Sequence, residues 1–191
     1  MMKRCSLALA VAALALAPAL GHAQDIPAAS RPGLLQAGIA LSSISPDLTN
    51  NRITGITGFV TFDFSERLGV EADIHLGSIS TPNDIAVNSY LIGPRYVRRY
   101  GRYEPYAKVL FGIGSTVAQE QYIINEGTPG VPGTYGVLAA AGGLDIRLPY
   151  NLSVRAIDFE YQDWYSWKPH GLSPAIASVG IAYRFDSIFG K

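Results

Sequence analysis

From Gly33 to Phe185, apolar and polar side chains exchange places residue by residue in one segment after another, and a period of two restricts the chain to β-structure. In Arg67–Ser80 one face is Leu68, Val70, Ala72, Ile74 and Leu76, and the other is Gly69, Glu71, Asp73, His75 and Gly77. Pro105–Val117 sets Ala107, Val109, Phe111 and Ile113 against Tyr106, Lys108, Leu110 and Gly112. Gly136–Leu148 sets Leu138, Ala140, Leu144 and Ile146 against Ala139, Ala141, Asp145 and Arg147. Pro174–Phe185 sets Val179, Ile181, Tyr183 and Phe185 against Ser178, Gly180, Ala182 and Arg184. Gly33–Ser43, Arg52–Phe64, Ser89–Tyr100 and Leu152–Trp164 alternate less cleanly and complete a set of eight predicted strands. Each is longer than the ~5–6 residues usual in soluble sheets. Their length suits the ~9–11 residues of a tilted strand that crosses a bilayer.

The connections between them alternate in length. Ile44–Asn51, Ile79–Asn88, Ala118–Tyr135 and Tyr165–Ser173 are long, whereas Ser65-Glu66, Gly101-Arg102 and Pro149-Tyr150-Asn151 are short. A transmembrane barrel has this asymmetry, with tight turns at one end and longer loops at the other. A soluble sandwich has no reason to collect its long loops at one end. Aromatic residues also gather at strand ends: Tyr100, Tyr103, Tyr106 and Tyr150 near the short turns, and Tyr90, Tyr122, Tyr135, Trp164, Tyr165 and Trp167 near the long loops. Such positions predict two interfacial girdles.

The start of the chain has a different character. Lys3 and Arg4 precede an apolar run, Leu7–Leu20, and Gly21-His22-Ala23 ends it with small residues. A basic segment, an apolar segment and a small-residue cleavage site form a secretory signal peptide. The run is short for a membrane-anchoring helix, which needs ~20 residues. The expected organisation is therefore a signal peptide at 1–23, an N-terminal periplasmic segment at 24–31, a barrel at 32–185 and a short tail at 186–191. Cys5 leaves with the signal and is the one cysteine of the chain, so neither disulfides nor a cysteine-rich metal site is expected. A formal net charge of zero argues against a nucleic-acid partner held through phosphates.

These features resemble the small outer-membrane β-barrel family of the OmpA and OmpX type. The resemblance rests on the signal peptide, the eight alternating segments and a closing strand, Ser178-Val179-Gly180-Ile181-Ala182-Tyr183-Arg184-Phe185, that ends in an aromatic residue; Gly93-Pro94-Arg95-Tyr96 and Asp158-Phe159-Glu160-Tyr161 are also similar to stretches of that family. It implies an all-β, eight-stranded antiparallel up-and-down barrel, monomeric, surrounded by outer-membrane lipid in a Gram-negative-type bacterium. It also implies the barrel-assembly machinery as a partner during insertion, reading Phe185, or Phe189 near the chain end.

With the apolar face toward lipid, the polar face lines the lumen. An eight-stranded barrel is just wide enough to be filled by side chains. We therefore expect Glu71, Asp73, Arg95, Lys108, Asp145, Arg147, Asp158, Glu160 and Arg184 to form a charged network that plugs it, with His75, Arg99 and Gln162 on the same faces. Arg95 with Glu71 or Asp73 is one expected centre, and Asp145 or Arg147 with Asp158 and Arg184 another. The function expected is structural or a surface interaction through the loops. A narrow channel for ions or very small solutes, and a secreted soluble barrel with an apolar interior, are the alternatives. No catalytic residue, metal ligand set or cofactor site is expected. His75 and His170 have no G-x-S-x-G or comparable nucleophile arrangement beside them, and no phosphate-binding loop precedes a helix.

Overall fold

The computed structural model describes residues 33–45, 52–77, 85–118, 133–166 and 172–185. The expected signal peptide, the expected periplasmic segment up to residue 31, the tail with Phe189, and Tyr122, Trp167 and His170 lie outside the described residues.

Eight strands follow one another along the chain: β1 (Leu34–Ser45), β2 (Ile53–Asp63), β3 (Leu68–Gly77), β4 (Ile85–Val97), β5 (Tyr103–Ala118), β6 (Gly133–Arg147), β7 (Leu152–Asp163) and β8 (Ala175–Phe185). Each pairs antiparallel with its sequence neighbours, and β1 pairs with β8 from Leu35↔Phe185 to Ser45↔Ala175, which closes the barrel. Closure leaves no sheet edge, so every strand's ladder groups find partners within the wall. The longest strands are those beside the longest loop. β5 runs to Ala118 rather than Val117, and β6 begins at Gly133 rather than Gly136, so the wall takes in both ends of the loop expected at Ala118–Tyr135.

The period of two becomes an inside and an outside. Ile39, Leu41, Val60, Ile74, Ile92, Val109, Phe111, Leu138, Phe159, Val179 and Ile181 are exposed on the outer wall. Glu71, Asp73, His75, Arg95, Lys108, Asp145, Asp158 and Glu160 are each 3% exposed or less. A water-soluble barrel has the opposite arrangement. Apolar outside and polar inside is the arrangement that hydrocarbon surroundings favour.

β7 breaks the alternation once. The ladder to β6 passes from Asp145↔Arg155 to Leu144↔Ile157, and that to β8 from Arg155↔Gly180 to Asp158↔Ser178. One extra residue therefore stands at Ala156-Ile157, a β-bulge. As a result Ser153 and Arg155, at odd positions, and Asp158, Glu160 and Gln162, at even ones, all point inward.

Several ring placements differ from the expected girdles. Tyr90, Tyr100, Tyr103, Tyr150 and Tyr165 are exposed, and Phe64, Tyr96, Tyr161 and Tyr183 join them. Tyr106 and Trp164 instead face inward, at 6% and 0% exposure, and Tyr135 packs against the interior cluster. Tyr106 shares the inward parity of Lys108, and Trp164 that of Gln162, so strand parity overrides nearness to a strand end.

The short turns are tightly bonded. Tyr100 and Tyr103 exchange backbone hydrogen bonds at 2.8 and 3.0 Å around Gly101, whose φ is +58°. A Cβ added at Gly101 would meet no atom within 4 Å. Gly101→Ala therefore isolates the cost of the left-handed backbone, about 1–2 kcal/mol. Urea titration of the barrel in lipid vesicles should register that loss, and an unchanged midpoint would mean that the turn relaxes freely.

Candidate functional site

The lumen is filled at two levels of different chemistry. At the short-turn end and through the middle, charged side chains converge from seven strands and the β4–β5 turn. Asp63, Glu71, Asp73, Glu104, Asp145, Asp158 and Glu160 face Arg95, Arg99, Lys108, Arg147, Arg155 and Arg184, so among the described residues seven acids meet six strong bases. Lys108 is the hub. Its Nζ donates to Glu71 Oε1 at 2.8 Å, Asp73 Oδ2 at 2.6 Å and Asp158 Oδ2 at 2.9 Å, which uses its three protons. Arg155 reaches Glu71 in a two-pronged contact, Nη1–Oε1 2.8 Å and Nη2–Oε2 3.1 Å, and donates from Nε to Asp145 Oδ1 at 3.1 Å. Arg95 donates from Nη2 to Asp145 Oδ2 at 2.7 Å, and its Nε lies 3.1 Å from Glu71 Oε2. Two rings hold these guanidiniums from the apolar side: Arg155 stacks 3.6 Å over Phe59 and Arg95 4.3 Å over Tyr106. The mouth below is closed by Arg99 between Asp63 and Glu104, with Arg147 donating to Glu104 and Arg184 at 3.8 Å from it.

Above this network the polarity falls. Ser42, Thr57, His75, Ser89, Glu160, Gln162 and Ser178 form a belt of mostly neutral groups. At the long-loop end the belt gives way to an apolar cluster: Ile44, Ile53, Val87, Leu91, Leu110, Val137, Ala139, Trp164, Leu172 and Ile176. It draws on β1, β2, β4, β5, β6 and β8, so it spans the cross-section. Gly114 makes room for it, because a Cβ there would sit 2.5 Å from the Trp164 ring.

Of the nine residues named from the sequence, Glu71, Asp73, Arg95, Lys108, Asp145, Asp158 and Glu160 face the barrel interior, and Arg147 and Arg184 lie at its mouth. Of the expected pairings, Arg95 does meet Glu71, and the others differ. Asp73 belongs to Lys108 rather than Arg95. Asp158 bonds Lys108 and lies 3.8 Å from Arg155, while Arg147 and Arg184 sit on Glu104. The physical reason is that contacts across a lumen depend on strand stagger, which places residues of non-adjacent strands at one height. Arg155, Asp63 and Glu104 are members that sequence reading missed. Glu104 has the parity of Tyr106 and Lys108, and Asp63 that of Phe59 and Thr61, so extending the alternation by two residues finds both. Arg155 is hidden by the bulge and has no such signal.

Apolar wall, closed ladder, polar interior and short turns at one end together define a transmembrane β-barrel. The model of one family, described as the outer membrane protein beta-barrel domain, matches residues 6–185 of the chain. The chain belongs to that family and is an outer-membrane barrel. No curated protein matches it. Solved structures share the fold at low identity. Neisserial surface protein A is 14% identical with a TM-score of 0.58, over 80% of this chain and 97% of that one. The outer membrane protein OprG from Pseudomonas aeruginosa is 14% identical with a TM-score of 0.52, over 84% of this chain and 99% of that one. The N-terminal barrel domain of Pseudomonas aeruginosa OprF is 12% identical with a TM-score of 0.52, over 78% of this chain and 97% of that one.

Proposed function

We propose that this outer-membrane barrel has a structural or surface-interaction role, and that its lumen is a plug rather than a passage. The observation that carries this reading is the stacking of two fillings in series. Ions entering at the short turns meet acids and bases that are already ion-paired with one another. Anything passing them meets a dehydrated cluster centred on Trp164, Leu110 and Ile176, all 1% exposed or less. An ion crossing that level would lose its water without gaining polar partners, which is prohibitive. Any recognition then belongs to the loops beyond the long-loop ends, and the barrel is the rigid frame that presents them.

The test is electrical. Purified barrel, shown to be folded by a different gel mobility before and after boiling, is added to planar lipid bilayers. The expected result is a membrane without discrete current steps at any holding voltage. Regular single-channel steps from the wild-type protein would overturn the plug and favour the narrow-channel reading.

A further inference from the structure

The belt between the charged network and the apolar cluster contains acceptors that no protein donor reaches. β3 places Asp73 and His75 two residues apart on its inner face, and β7 brings Glu160 from the opposite wall. One ligand atom from each of the three lies within 4.8 Å of the other two, and all three residues are 1% exposed. Asp73 Oδ1 and Glu160 Oε2 are buried without a hydrogen-bond partner, and so is His75 Nε2, which faces Glu160 Oε1 at 3.2 Å. Lys108 does not fill this need. Its protons are on Glu71, Asp73 Oδ2 and Asp158, and it stays 4.0 Å from Glu160 Oε2.

We propose that Asp73, His75 and Glu160 bind a divalent transition-metal ion of the zinc class inside the barrel. One imidazole nitrogen and two carboxylates suit such an ion, whereas a site for calcium or magnesium is built from oxygens.

The surrounding hydrogen bonds hold each ligand in the required state. Thr57 Oγ1 lies 2.7 Å from His75 Nδ1, Ser42 Oγ 2.5 Å from Thr57 Oγ1, and Ser178 Oγ 2.9 Å from Ser42 Oγ. Run outward from the ring, this chain lets Nδ1–H donate to Thr57, Thr57 to Ser42 and Ser42 to Ser178. Nε2 is then left with a lone pair directed at the carboxylates, the tautomer a metal ligand needs. On the other wall the Trp164 indole, which can only donate, bonds Gln162 Oε1 at 2.8 Å. That fixes the Gln162 amide so that its Nε2 donates to Glu160 Oε1 at 2.7 Å. Glu160 Oε2 remains as the free ligand atom. Tetrahedral ligands on one ion at ~2.1 Å stand ~3.4 Å apart, so ligand atoms at the 4.8 Å limit close on the ion by about an ångström, a side-chain adjustment that leaves the strands in place. Because the site is sealed at both ends, the ion is acquired as the barrel folds.

The experiment uses untagged barrel folded in parallel with Zn2+, Co2+, Mg2+ or Ca2+, then dialysed against metal-free buffer and measured by elemental mass spectrometry. The expected result is close to one Zn2+ or Co2+ per chain and no retained Mg2+ or Ca2+, with retention falling at least tenfold in His75→Gln and Glu160→Gln barrels that still show the heat-dependent gel shift. Folded wild type that retains no transition metal would overturn the proposal, leaving His75 and Glu160 as an ion pair. Undiminished retention by His75→Gln would overturn it too, since the ion would then sit elsewhere. Should neither variant fold, X-ray absorption at the zinc edge of the wild type decides. One imidazole with carboxylate oxygens supports the site, and two imidazoles or oxygens alone refute it. Only the loading of the ion during folding rests on the plug reading; the ligand set does not, and the bilayer currents test the plug separately.

Discussion

Replacing Lys108 with methionine should destabilise the barrel by about 3–5 kcal/mol, the usual cost of removing one partner from a buried ion cluster. The change leaves the volume nearly constant and removes the ammonium that Glu71, Asp73 and Asp158 share. Three carboxylates then face one another in a closed space with only Arg95 and Arg155 nearby, and repulsion adds to desolvation. Urea titration in lipid vesicles measures the loss. Val109→Met at the next position, half exposed on the lipid side, is the control and should stay within about 1.5 kcal/mol. Arg95→Leu tests the same assignment by its sign. An arginine facing lipid at the midplane costs roughly 2–4 kcal/mol, so its removal would stabilise. Arg95 is 3% exposed against Glu71 and Asp145, so its removal should destabilise. A gain in stability would invert the face of every strand in register with β4.

Trp164→Ala should cost about 3–5 kcal/mol, as truncation of a buried aromatic residue does. Trp164 is wholly buried at the long-loop end, bonds Gln162 through its indole nitrogen and packs over Gly114 and Tyr135. The same variant removes the largest member of the apolar cluster, so brief current steps should appear in bilayers where the wild type gives none. Gly114→Ala gives an independent check through coupling. A methyl there collides with the indole, at 2.5 Å, and should destabilise the wild type. In the Trp164→Ala barrel it enters open space and should be close to neutral, so the two effects are not additive. Additive losses would place the ring away from Gly114 and undo the packing of the cluster.

Much of this architecture is legible along the chain because it is a local property. A pleated strand sends successive side chains to opposite sides whatever lies across from it. The alternation in Arg67–Ser80 therefore already separates Glu71, Asp73 and His75 from Val70, Ile74 and Leu76, and the structure keeps that division. Strand number, and the inward side of Arg95 and Lys108, follow from the same reading. Strand ends are less legible: Glu104 lies one residue before the predicted start at Pro105 and Asp63 one before the predicted end at Phe64, and both turn inward as charged residues.

What lies inside the barrel was decided by closure. Lys108 meets Asp158, and His75 meets Glu160, only because staggered strands from opposite walls bring them to one height. The bulge at Ala156-Ile157 turns Arg155 inward beside Asp158, a parity that no regular period contains. The apolar cluster likewise gathers residues scattered from Ile44 to Ile176; strand parity puts Leu110 inside with Lys108 and Trp164 with Gln162, but nothing along the chain brings them to one height. Local alternation determined which side of the wall each residue occupies, since that depends only on the pleat. The tertiary structure alone decided which residues meet across the lumen, since that depends on stagger, bulge and the closing pair of β1 and β8.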